Sequence, residues 1–165
     1  MTFRALAEVV VLTIAHRLAA MIPAPRTAAI RVLPQEPEPA EHFEVRPSCI
    51  PDAGCGLFAR RPFARGETLC EYTGDRLTTW EHFRRRDWSY LARCNGFHLD
   101  ARPYPEVLAA RANHHFDPSR RNATFTERDG RLYVVATRDI AAGEEIYVDY
   151  GLTYWRLARV GGLIV

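Results

Sequence analysis

Residues Arg111–Phe125 read RANHHFDPSRRNATF, and the reading of this stretch decides the fold. It sets an amide, two imidazoles, a carboxylate and three arginines around one proline. Only Ala112, Phe116, Ala123 and Phe125 are plainly apolar, so little of it can build a core. Asp117-Pro118-Ser119 is turn chemistry, because proline fixes its own φ and pushes the residue before it out of the helical region. Taken alone, the stretch reads as a solvated arginine-rich turn. Between ordered segments, so polar a run suggests a loop held for a purpose.

The 165 residues, 47% of them hydrophobic, fit one domain plus extensions with a sizeable core. A net charge of +2 lacks the dense basic face of a nucleic-acid binder, so no direct nucleic-acid partner is expected. All 22 basic residues are arginine, which leaves no lysine for self-modification. Cys49, Cys55, Cys70 and Cys94 form no CxxC pair, which speaks against a zinc knuckle. Free thiols in a reducing, cytoplasmic setting are expected instead.

Working outward, residues 1–22 read as a helix, too short in its apolar run and too charged for a membrane span and a poor signal peptide. PQEPEPAE, from Pro34, is a linker that cannot fold by itself. The expected division is therefore a helical extension (1–33), a Pro/Glu linker (34–42), a compact domain (43–155) and a tail (156–165). Inside the domain, FEVRPS, Leu57–Ala59, Thr68–Tyr72, Phe97–Asp100, Arg131–Thr137 and Ile146–Tyr150 read as short strands. Asp129-Gly130 is a hairpin signal. Thr78–Leu91 reads as a helix capped by Thr78 or Thr79, with Glu81 in its first turn, and Glu106–Arg111 as one or two helical turns. The class is α+β and β-rich, with one modest helix.

Three segments in order, GCGLFA (54–59), RANHHFDP (111–118) and EEIYVDYG (144–151), together resemble the SET-domain family of protein-lysine methyltransferases. ARRPFARGETLCEYTG and VVATRDIAAGEE, between them, also sit where that family has them. The resemblance implies short strands in small sheets, with a C-terminal segment threaded in a pseudoknot-like way. It implies S-adenosyl-L-methionine as cofactor and, as substrate, a protein presenting a lysine, such as a histone-like or ribosomal one. Ala53, Gly54, Cys55, Gly56 and Leu57 match the cofactor-holding turn, and Asn113-His114 the Asn-His pair that contacts the cofactor. Tyr150 matches the active-site tyrosine, also beside the cofactor, and Tyr72 a second tyrosine that lines the lysine channel in some members. Phe125 falls where members carry Phe or Tyr, with Phe tending to go with higher methylation states. Trp155 matches C-terminal aromatics that cover the cofactor or channel mouth; a core tryptophan is the equal alternative.

The chain departs from the family at His115, Phe116 and the lengthening Ser119-Arg120-Arg121. Phe116 stands where cysteine is frequent, and no cysteine follows Cys94, so no metal site is expected. The compact pattern looks more like bacterial or viral members than chromatin enzymes. A catalytically silent SET-like module that binds protein is the alternative these departures keep open. Neither the oligomeric state nor the role of residues 1–33 follows from the sequence.

Overall fold

The computed structural model describes residues 30–35, 40–78, 81 and 88–160, with side chains to 155. The expected helix over 1–22 and most of the one over 78–91 lie outside these residues. The described chain is strand-rich. A four-stranded antiparallel sheet runs β1 (Ile30–Val32), β5 (Gly74–Leu77), β7 (Phe97–Asp100), β6 (Leu91–Cys94). A three-stranded one runs β4 (Thr68–Tyr72), β10 (Arg131–Ala136), β9 (Ala123–Arg128). β2 (Phe43–Pro47) pairs antiparallel with β3 (Cys55–Ala59), and β8 (Asn113–His114) pairs parallel with β11 (Tyr147–Val148). A C-terminal helix, α1 (Gly151–Val160), follows β11 directly.

Local chemistry accounts for much of this. Asp129 and Gly130 both adopt positive φ, as a two-residue hairpin between β9 and β10 requires. Along β10, Leu132 and Val134 face the core while Tyr133 alternates outward. Thr78 and Glu81 form a reciprocal cap: Thr78 Oγ1 accepts the Glu81 N–H, and the Glu81 carboxylate accepts the Thr78 N–H at 2.8 Å. The core joins Leu57, Val134, Ile146 and Val148 with a stacked Phe43–Phe63 pair, ring centroids 5.1 Å apart. Each such fully buried aliphatic contributes about 2 kcal/mol.

Three expectations need correction. Leu91 opens strand β6 instead of closing a helix, since it pairs with Asp100 across the sheet. Ile30–Val32, inside the expected helical extension, form an edge strand on β5, tied down by the Arg31–Glu106 ion pair and by Arg31 stacking over Tyr104. A long helix begins at Gly151 and runs through the expected boundary at 155, because Asp149 accepts the Gly151 N–H at its start.

Short elements close around a crossing. The β11 segment runs between β8 on one side and Asn122 on the other. His115 N–H reaches the Val148 carbonyl, and Asn122 N–H the Tyr147 carbonyl at 3.1 Å. The loop from β8 to β9 therefore spans the C-terminal strand, a threading unusual among folds. Asn122, 0% exposed, is the fastener: Oδ1 accepts the Tyr147 N–H, Nδ2 donates to the Glu145 carbonyl (both 2.8 Å), and its own carbonyl accepts the Thr137 N–H. Asn122→Ala strands a buried donor and a buried acceptor, so a loss of about 2–4 kcal/mol is expected in urea unfolding. A loss below about 1 kcal/mol would show that the crossing does not depend on this side chain.

Candidate active site

The crossing brings the three motifs together. Asn113 Nδ2 donates to the Cys55 carbonyl and to Glu145 Oε1, each at 3.2 Å, which joins the Gly-x-Gly turn, the Asn-His pair and the last strand at one point. Glu145 is the hub. It is 3% exposed and also accepts from Ser48 Oγ (2.7 Å), the Cys49 N–H (2.7 Å) and the Tyr147 hydroxyl (2.8 Å). Burial alone would raise its proton affinity; these donors more than offset that and hold the carboxyl below its ordinary value. Gly56 completes the joint, because a Cβ there would lie 2.1 Å from Glu145 Oε1.

Of the five residues expected to form the cofactor turn, Ala53, Gly54 and Cys55 are at the surface. Gly56 and Leu57 are buried, Leu57 within the core. Gly54 sits at φ 69°, and a Cβ there would meet nothing within 4 Å, so its need for glycine is conformational and its face is open.

His114 is buried at the centre of an aromatic cluster. Its ring centroid lies 4.8 Å from Phe116, 4.9 Å from Trp155 and 5.5 Å from Tyr150. The Tyr150 backbone N–H donates to His114 Nδ1 at 3.1 Å, which requires that nitrogen unprotonated. Burial, and then Arg121, depress the proton affinity of His114, so the neutral ring is the stable form. The Tyr150 hydroxyl donates to the Ala112 carbonyl at 2.9 Å. Burial, then Tyr154, push its ionisation well above the ordinary phenol value, so it stays a phenol.

Beside Tyr150 opens a cavity of about 340 Å³, walled by Tyr72, Phe125, Tyr150, Tyr154 and alanines 109, 110 and 112. Tyr72 meets Phe125 edge-on at 6.0 Å and commits its hydroxyl to the Tyr90 carbonyl at 2.8 Å. Tyr150 therefore stands between two environments, the aromatic cavity and the cluster of His114 and Trp155. Trp155 packs against His114 and Tyr150, and its Nε1 is buried without a hydrogen-bond partner. An orphaned buried donor in this cluster suits a polar ligand on this side.

Sequence reasoning passed over Glu145, Asn122 and Tyr154. Glu145 stands directly before Ile146 in the last motif, but nothing local distinguishes it from its neighbour Glu144, which pairs with Arg138 at the surface.

The fold, with its threaded C-terminal strand, defines a SET-type scaffold, and comparison with known proteins agrees. The chain belongs to the SET domain family, which it matches over residues 54–151. It is 28% identical over 139 residues to the histone-lysine N-methyltransferase SETD7 of Halocynthia roretzi, covering 76% of this chain and 36% of that protein. It is 30% and 31% identical to the mouse and human histone-lysine N-methyltransferase EHMT1, covering 63% of this chain and 9% of each. The chain thus spans about a third or less of the relatives it matches. These relatives support a methyltransferase. Among the described residues no helix is long and apolar enough to cross a membrane.

Glu145→Gln keeps the size but removes the charge that four donors share, and an unfolding free energy lower by about 2–3 kcal/mol is expected at neutral pH. Because the folded carboxyl titrates below its ordinary value of 4.5, its contribution is complete above that value and is lost as pH falls through the folded one. The variant should accordingly lose part of the wild type's acid sensitivity in urea titrations; an unchanged slope would remove Glu145 from the hub.

Proposed function

We propose that the chain is an S-adenosyl-L-methionine-dependent protein-lysine N-methyltransferase, with Tyr150 at the transfer centre. What carries this reading is the position of Tyr150: its N–H is held by His114, the neighbour of the Asn113 that bonds the Cys55 carbonyl, and its ring lines the aromatic cavity. The residues fit such a cofactor: Gly54 leaves an open face, Asn113 bonds the Cys55 carbonyl next to it, and His114, Tyr150 and Trp155 form one aromatic cluster holding an unpartnered indole N–H. The cofactor, when bound, supplies a methyl group on a positively charged sulfur.

The chain's own residues do the rest. A free lysine holds its proton to about pH 10.4, and the transfer needs a nitrogen lone pair. Tyr72, Phe125, Tyr150 and Tyr154 strip water from an inserted side chain, and desolvation lowers its proton affinity. The Tyr150 hydroxyl donates its hydrogen bond to the Ala112 carbonyl, which leaves its oxygen as an acceptor to orient the amine and to touch polarised C–H groups. Neither Tyr150, held as a phenol, nor His114, whose Nδ1 is engaged, serves as a strong base. Rate then comes mainly from alignment in a preorganised polar site. Phe125 forms a wall without a hydroxyl, which leaves room for an amine already carrying methyl groups. The substrate class is a protein presenting a lysine, and the histone-lysine relatives make a basic protein the first candidate.

Incubation with methyl-labelled cofactor and lysine-bearing proteins tests the reading; absence of transfer together with absence of cofactor binding by calorimetry would overturn it. Binding without transfer would favour the silent protein-binding alternative. Tyr150→Phe should lower the transfer rate by about 100-fold or more at unchanged thermal midpoint, and an unchanged rate would reject its role. Phe125→Tyr should shift products toward fewer methyl groups by mass spectrometry; an identical distribution would separate Phe125 from product control.

A further inference from the structure

The loop insertion that lengthens Arg111–Phe125 has a structural consequence centred on Arg121. Its Nε donates to the His115 carbonyl at 2.7 Å, one terminal nitrogen reaches the Phe116 carbonyl, and the other pairs with Asp149 Oδ2. One guanidinium thus joins the loop after β8 to the residue before Tyr150, across the crossing. Planar and always charged, it can hold a carboxylate and two carbonyls at once. Among the described residues, Asp149 is the carboxylate facing His114, its Oδ1 standing 3.5 Å from Nδ1. It also caps the start of α1 at the Gly151 N–H.

We infer that Arg121 is a positioning residue for Tyr150: it draws the Asp149 carboxylate to itself and so leaves His114 Nδ1 to the Tyr150 N–H. The reason lies in one nitrogen with two claimants. Nδ1 accepts the Tyr150 N–H only when unprotonated. An uncompensated carboxylate at 3.5 Å would favour the imidazolium, whose Nδ1–H would turn to Asp149 and release the Tyr150 backbone. Arg121 opposes this twice, by neutralising Asp149 and by placing positive charge near the ring. Among the described residues the other ionisable groups facing His114 are His115, which acts on its proton affinity in the same sense as Arg121, and the Tyr150 phenol, which stays neutral. The remaining faces, Phe116 and Trp155, are uncharged rings. Ser119-Arg120-Arg121, at first only a lengthened loop, thereby acquires a role.

This inference rests on Tyr150 being at the transfer centre, but its test has a readout that does not. In the full chain, without cofactor, the His114 ring is titrated by NMR in the wild type and in Arg121→Gln, Asp149→Asn and Arg121→Lys. Arg121→Gln should raise the titration midpoint, Asp149→Asn should lower it, and Arg121→Lys should stay near the wild type. Where transfer is measurable, the acid limb of its pH profile should move in the same directions, and kcat should change more than KM for the cofactor. Shifts of one sign in both charge variants, or none in a folded Asp149→Asn, would overturn the inference. Opposed shifts in a protein that transfers no methyl group would uphold the charge arrangement and reject the proposed activity instead.

Discussion

A single buried carboxylate, Glu145, is the constraint on which the rest of the structure depends. Four donors from three places converge on it: Ser48 and Cys49 from the hairpin after β2, Asn113 from β8 and Tyr147 from β11. An anion almost without solvent contact is costly unless its lone pairs are filled, and here they are. The requirement works in both directions, since each donor is fixed by the carboxylate it satisfies. Gly56 is glycine because the carboxylate occupies the space a side chain would take.

From that hub the geometry of the candidate site follows outward. Asn113 is oriented by Glu145 on one side and by the Cys55 carbonyl on the other, which aligns the exposed turn with the Asn-His pair. Asn122 then fastens the returning strand, and His114 Nδ1 fixes the first backbone amide beyond it, that of Tyr150. The helix beginning at Gly151 lays Tyr154 edge-on and Trp155 stacked against Tyr150. A phenol with its own proton engaged, between an apolar cavity and the His114–Trp155 cluster, suits chemistry that needs alignment and desolvation more than acid–base strength.

Much of the fold was legible locally. Asp129-Gly130 demanded its hairpin, β4, β7 and β10 followed β-branched and apolar patterning, and Thr78 with Glu81 announced a helix start. The motifs likewise announced the candidate site, in that Asn113, His114 and Tyr150 do meet and Tyr72 and Phe125 share a cavity. Less legible were β5, β6 and α1. The chain turns at Gly74 into a second sheet, Leu91 pairs with Asp100, and Gly151 opens a helix where an end was expected. In each case a partner distant in sequence outweighed the local preference.

The sequence by itself determined the family, several of the strands and the residue types of the motifs, because turn geometry and hydrophobic alternation act between near neighbours. The tertiary structure alone decided which of two adjacent glutamates is the hub, that Leu57 belongs to the core, and that Arg121 belongs beside Asp149. These depend on closures across roughly a hundred residues, such as Ser48 to Glu145, where the pairing exists only once the C-terminal strand has passed beneath the Arg111–Phe125 loop. A charge reads the same in sequence whether it faces water or four donors; burial and partners tell the two apart, and both are properties of the folded chain.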